Sequence, residues 1–143
     1  MTGPVLIRHR LTARFSDCDP LGHVNNAVYL TYLEQARLLL WREQFGFRSS
    51  HVPPGGRRGE AFILARAEVD FRAQAFDNDE LEVRMSLAGF GRSSATYDYE
   101  IVNVQTGVLV AEAKTVQVWF DYDANKSVPI SEELKGKLSR VVS

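Results

Sequence analysis

The side chains able to do chemistry crowd into one stretch, Arg14-Phe15-Ser16-Asp17-Cys18-Asp19-Pro20-Leu21-Gly22-His23-Val24-Asn25-Asn26-Ala27-Val28-Tyr29-Leu30. It holds two carboxylates, a thiol, an imidazole and two amides. The apolar run that follows reads as a helix, so the stretch is a turn from a strand into a helix N-terminus. There the first backbone N–H groups lack partners and the helix dipole is positive, which suits a carbonyl oxygen gathering negative charge. The same field favours the ionised form of an aspartate beside it. A nucleophile or base next to an oxyanion site is what acyl transfer needs.

Each of these residues also has a structural account. An aspartate ahead of a proline is commonly an Asx-turn residue or a helix-end charge, and on residue type alone that is the better account of Asp19. Asp17, two residues earlier, reads as structural, hydrogen-bonding the turn backbone. Cys18 lies near a helix N-terminus but has no strong base arrangement, and reads as a small packing residue. A single histidine nearby and no spaced His/Cys ligands argue against a metal such as zinc. Glu34 and Arg37 stand three apart on the helix and most simply pair with each other. The turn Gly89-Phe90-Gly91-Arg92-Ser93-Ser94 lacks the lysine and spacing of a nucleotide-binding P-loop.

The elements that must position this stretch are written in the hydrophobic pattern. Val5, Ile7, His9, Leu11, Ala13 and Phe15 alternate with Arg8, Arg10, Thr12 and Arg14, the period of two that a half-buried strand requires. Four more alternating runs follow, from Ala61, from Leu81 to Leu87, from Ala95 to Val104 and from Val108 to Phe120. In the first of them Ile63, Ala65, Ala67, Val69 and Phe71 share one face, while Phe62 and Leu64 fall with the charged residues. Turn signals at Asp77-Asn78-Asp79, Gly89-Phe90-Gly91 and Asn103 to Gly107 join neighbours into an antiparallel meander. One helix over Ala27 to Phe45 is apolar nearly all round and must be surrounded. Asn25 and Asn26 are good caps at its start, and Gly46 is its stop. An α+β fold follows, in which a curved antiparallel five-stranded sheet wraps around one long central helix. Its open sheet edges and uncovered helix side lead us to expect a homodimer. Phe47 to Glu60 reads as a surface loop or lid, and Ser131 caps a short terminal helix.

With 143 residues, 45% hydrophobic and 24% charged, the chain is one domain, 1–143, able to bury about two-thirds of its unfolded surface without disulfides or metal. A formal net charge of −1 gives no electrostatic footprint for nucleic acid. Nothing approaches a membrane span of about 18 apolar residues, and Met1 to Arg10 lacks a signal-peptide core, so a cytoplasmic protein with no membrane partner is expected.

In its motif Asp17-x-Asp19-x-x-Gly22-x-Val24, the chain resembles the hotdog-fold thioesterases, in particular the 4-hydroxybenzoyl-CoA thioesterase branch. Tyr29-Leu30-x-Tyr32-Leu33-Glu34-x-Ala36-Arg37 resembles the family's helix, and Trp119-Phe120-Asp121 with Ser127-Val128-Pro129-Ile130 its usual ending. The resemblance reverses the preference for a merely structural Asp19. It implies an acyl-CoA thioesterase in which Asp19 is the catalytic carboxylate, as nucleophile or as general base, with a backbone oxyanion donor near Asn26. It also implies that Tyr29 packs beside the acyl pocket and that Arg92, Ser93 and Ser94 bind CoA phosphates, often from a neighbouring subunit. The run Gly22-His23-Val24-Asn25-Asn26 resembles instead the plant acyl-carrier-protein thioesterases, where an asparagine and a histidine assist the aspartate. Leu21 stands at that asparagine position, so His23 either polarises the thioester or fixes the loop. Glu34 is the second-choice carboxylate. The implied protein is a homodimer or a tetramer of dimers that needs no cofactor and acts on acyl-CoA or acyl-carrier-protein. A hydratase or dehydratase of the same fold and a non-catalytic acyl-CoA-binding module are the alternatives.

Overall fold

A computed structural model describes residue 1, residues 3–46 and residues 59–142. The expected lid falls mostly on residues 47–58, outside the described residues. Alternation produces five long strands, β1 (Val5–Thr12), β2 (Glu60–Phe71), β3 (Glu80–Phe90), β4 (Ser94–Asn103) and β5 (Leu109–Asp121), with a two-residue β6 (Lys126–Ser127) beside β5. Helix α1 covers Asn26–Phe45 and helix α2 Glu132–Leu138.

Every strand pair is antiparallel. Inward positions of β3 and β4, Leu81, Val83, Met85, Tyr97, Tyr99 and Ile101, form one core with Leu33, Ala36 and Leu40 of α1. On the outer face Arg8, Arg10 and Arg84 all donate to the buried carboxylate of Glu82, tying β1 to β3. Burial pushes that carboxyl up, but the three guanidiniums outweigh it and hold it below its ordinary value.

The strand order is β1-β3-β4-β5-β2, which corrects the meander expected over the whole second half. Only β3, β4 and β5 form one; β2 lies beyond β5, at the opposite edge from β1. Residues 72–79 therefore cross the end of the sheet instead of making a hairpin. Their extended reach of about 26 Å exceeds the three strand spacings, about 14 Å, to be crossed. Hydrogen bonds pin the crossing: Arg72 and Ala73 N–H donate to the Val110 carbonyl, Val24 N–H to Ala75, and Asn78 N–H to Ala13. Short turn signals at 77–79 did not reveal this, because a turn residue specifies a local bend and not which strand comes next.

A register shift between Leu64 and Arg66 in β2 changes a second expectation. One extra residue there exchanges the two faces of the strand, so Phe62, expected among the charges, turns inward. Its ring stacks 5.1 Å from Trp41 and meets Trp119 edge-on at 4.9 Å.

The helix begins as its caps dictate. Asn25 is the N-cap, its side chain accepting from Ala27 N–H, so Asn26 is the first helical residue and not a second cap. Gly46 ends the helix in the left-handed conformation (φ 73°), its N–H donating to Arg42. The surrounded helix of the sequence reading is realised on one side only: Leu30 and Leu38 remain 42% and 44% exposed in the single chain. At its far end Gln44 donates to the carbonyls of Leu138 and Arg140, fastening α2 beside it.

Leu33 has no exposed surface. We expect Leu33→Ala to lower unfolding free energy by about 2–5 kcal/mol in urea titration, the cost of a cavity where helix and sheet meet.

Candidate active site

The chain leaves β1 through a 3-10 turn at Phe15–Asp17 and folds back before α1. Cys18 and Val24 form a bridge, and Asp19 N–H donates to the His23 carbonyl at 3.1 Å, so residues 18–24 are a narrow loop with Asp19 and His23 across from each other. Asp19 is half-buried, and its Oδ1 accepts from Leu21 N–H at 2.9 Å. That is the Asx-turn geometry its position before Pro20 favours; Oδ2 has no protein partner among the described residues. His23 donates from Nδ1 to the Val24 carbonyl at 3.3 Å, which leaves Nε2 of the neutral ring as an acceptor.

Asp17 is 4% exposed. Its carboxylate accepts from Arg14 N–H at 2.9 Å, from the Arg14 guanidinium at 3.0 Å and from Tyr32 O–H at 2.8 Å. Burial pushes Asp17 up, but these three donors together outweigh it and hold the carboxyl below the usual aspartate range. The structural role expected for Asp17 is what its contacts show, and its link to Tyr32 was not read from the sequence. Cys18 behaves as expected of a packing residue. Burial, then the carboxylates of Asp77, Asp17 and Asp19, push its thiol up and away from the nucleophilic thiolate.

At the start of α1 the Asn25 side chain takes Ala27 N–H at 3.0 Å and its carbonyl takes Val28 N–H at 2.9 Å. The N–H of Asn26 has no such partner among the described residues, and the first turn carries no acid to offset the helix dipole. A cleft of about 290 Å³ opens here, lined by His23, Asn26 and Tyr29, by Phe71 at the end of β2 and by Arg72 and Gln74 of the crossing. Tyr29 is buried, its ring 5.3 Å from Phe71 and 5.9 Å from Tyr32. Burial pushes its phenol up, so it stays a neutral wall and hydrogen-bonding group.

The structure thus gathers His23, Asn26 and Tyr29 on one cleft, with Asp19 on the adjoining loop and outside the cleft wall. Phe71, Arg72 and Gln74 were missed, because only the crossing brings the end of β2 over the helix start. Arg72 is held by Glu112 at 2.9 Å and by Asp70 at 3.7 Å. Glu34 is exposed on the third turn of α1 and does not line the cleft. It does not pair with Arg37, correcting that expectation: Arg37 turns inward, 6% exposed, and donates to Tyr99 O–H at 3.3 Å. Arg92, Ser93 and Ser94 lie where β3 turns into β4. Because Thr12 pairs with Glu80 at the start of β3, that turn is at the other end of the sheet, about 30 Å away along the strand.

Residues 13–138 match the thioesterase-like superfamily. The long-chain acyl-CoA thioesterase FadM of Escherichia coli is 29% identical over 126 residues, 87% of this chain and 90% of that enzyme. The chloroplastic acyl-acyl carrier protein thioesterase ATL3 of Arabidopsis thaliana is 28% identical over 120 residues, 84% of this chain but only 60% of the plant enzyme's length. Among solved structures, a predicted thioesterase from Bacillus stearothermophilus superposes with a TM-score of 0.80 at 25% identity, covering 95% of this chain and 96% of that one. The fold is the hotdog fold that the sequence resemblance implied.

The network around Asp17 makes this region sensitive to acid. A carboxyl held below its unfolded value of 3.8 contributes its full stability above that pH and loses it as the pH falls through the folded value. Thermal unfolding followed from about pH 7 to about pH 3 is expected to show the wild type well above Asp17→Asn at neutral pH, with the gap closing below about pH 4.

Proposed function

Because the chain belongs to the thioesterase-like superfamily, we propose that it hydrolyses acyl-CoA, with the thioester carbonyl received at the start of α1 and Asp19 as the reacting carboxylate. The observation that carries this reading is the Asn26 N–H, unpaired among the described residues at the positive end of α1, on a residue that lines a cleft beside the loop holding Asp19. A donor already in place there stabilises the oxyanion of the tetrahedral intermediate without reorganisation at the moment of reaction. Asp19 acts through Oδ2, since Oδ1 is engaged by Leu21 N–H. It either takes a proton from a water that adds to the carbonyl carbon or adds to that carbon itself, and the C–S bond breaks as the intermediate collapses. The departing thiolate takes up a proton. In the second route water then hydrolyses the acyl-carboxylate anhydride and restores Asp19. His23, at the cleft wall, packs its ring beside the thioester. Tyr29 and Phe71 flank the acyl group.

CoA is preferred to a carrier protein as the group that presents the acyl chain, because the match to the acyl-CoA enzyme runs through 90% of its length and the match to the carrier-protein enzyme through 60%. A homodimer belongs to the same reading. β2 pairs with β5 on one side only, and Leu64 and Phe71 on it are each 46% exposed. A second copy is also what could bring Arg92, Ser93 and Ser94 to the CoA phosphates, since those of the same chain lie at the far end of the sheet.

Free-thiol release from a panel of aliphatic and aryl acyl-CoAs tests the proposal. We expect turnover by the wild type and a loss of about a hundredfold or more in kcat for folded Asp19→Asn. Equal rates in both proteins would remove Asp19 from the chemistry. Acyl-CoA binding with no thiol release from any substrate would make the protein a binding module.

A further inference from the structure

Asp17 sits at a junction. Its carboxylate takes two donors from Arg14 at the exit of β1 and one from Tyr32 in the second turn of α1, and its carbonyl takes the Asn25 N–H at 2.9 Å. Asn25 is the helix N-cap, so the last of these bonds ties the turn at residue 17 to the residue at which α1 begins. Resting on the thioesterase reading above, we propose that Asp17 is a positioning residue for the reaction: through Tyr32 and the Asn25 amide it clamps the loop bearing Asp19 and His23 onto the start of α1.

The remaining anchors of the loop show why this clamp matters. Asp19 N–H to His23 carbonyl and Gly22 N–H to Asp19 carbonyl are bonds within the loop, and they shape it without placing it. Val24 N–H to Ala75 ties it to the crossing over β3–β5, not to the helix. The tip, Pro20 to Gly22, is exposed, with Leu21 79% accessible. Val24 is buried in the core beside α1, and the hydrogen bonds that register the loop against the helix run through residue 17. A carboxylate does this better than an apolar contact, because hydrogen bonds are directional and three donors from two elements define one orientation. The chemistry needs that precision: a displacement of about 1 Å between a reacting group and an oxyanion donor costs about a hundredfold in rate. Asp17 itself does not line the cleft. Its donors hold it ionised, and burial together with Asp17 pushes the Tyr32 phenol up, so the O–H remains a donor.

Tyr32→Phe removes one hydroxyl and no packing volume of consequence, and it is the primary test. Acyl-CoA hydrolysis is measured in the wild type, Tyr32→Phe, Asp19→Asn and the double variant, together with thermal midpoints and amide hydrogen exchange. We expect Tyr32→Phe to stay folded, to lower kcat about tenfold with KM within about twofold, and to speed exchange of the Asn25 amide about tenfold or more. In the Asp19→Asn background the same substitution is expected to change the residual rate by less than about twofold, because its effect passes through Asp19. Asp17→Asn, which turns an amide N–H₂ toward these donors, is expected to lose more. An unchanged kcat in Tyr32→Phe, or an equal fall in both backgrounds, would overturn the positioning role. If the wild type releases no thiol while Asn25 exchange still quickens in Tyr32→Phe, the thioesterase reading falls and the clamp stands. Unchanged exchange overturns the clamp whatever the activity.

Discussion

Leu33, Ala36 and Leu40 lose all exposure when α1 packs on β1 and β3, and that contact decides where the helix begins and what its first turn faces. Burying each leucine contributes about 2 kcal/mol, so the helix cannot slide or rotate cheaply on the sheet. With its axis fixed, its first N–H, unpaired among the described residues, lands at the end of the sheet where β1 stops and the 72–79 crossing passes. The cleft exists because those three pieces of chain meet there. No single one of them contains it.

Two aspartates two residues apart have been given different work by that geometry. Asp17 is covered and surrounded by donors from Arg14 and Tyr32, a setting that holds a carboxylate ionised and leaves it no freedom to react. Asp19 is half open, with one oxygen taken by its own turn and the other without a protein partner among the described residues. The absence of an acid in the first turn of α1 leaves the helix field to act on the loop and on whatever carbonyl enters the cleft. A covered carboxylate held by three donors and a partly solvated one held by a single donor differ through environment alone, since the two side chains are chemically the same, and the proposed reaction assigns the chemistry to the second.

The long axis of the sheet separates the other groups. The helix start and the Asp19 loop occupy one end, and the Arg92–Ser94 turn the other. The open edge of β2 and the bare side of α1 at Leu30 and Leu38 are surfaces a second copy would cover. Such pairing would place two equivalent clefts on one particle.

Much of the fold was legible in the sequence because period-two alternation and an all-apolar helix are local patterns. The helix bounds, the Asn25 cap and the Gly46 stop follow from residues within a few positions of one another. So does the motif from Asp17 to Val24, which carries the resemblance to the family. The first strand does not run as far as its alternation, ending at Thr12 and leaving Phe15, expected on its buried face, exposed in the 3-10 turn. What the sequence did not reveal depends on contacts between distant residues. The bulge at Leu64/Arg66 turns Phe62 into the core, and no alternation count shows where a strand takes an extra residue. The place of β2 beyond β5 brings Phe71, Arg72 and Gln74 to the cleft, because pairing partners are chosen by burial of whole faces and not by turn residues. Arg37 leaves Glu34 for Tyr99, 62 residues away, since packing rotates that position toward the sheet. The sequence by itself determined the elements, the caps and the chemistry-bearing loop; the tertiary structure alone decided which side chains share the cleft, because that is settled by long-range packing, to which local propensity is blind.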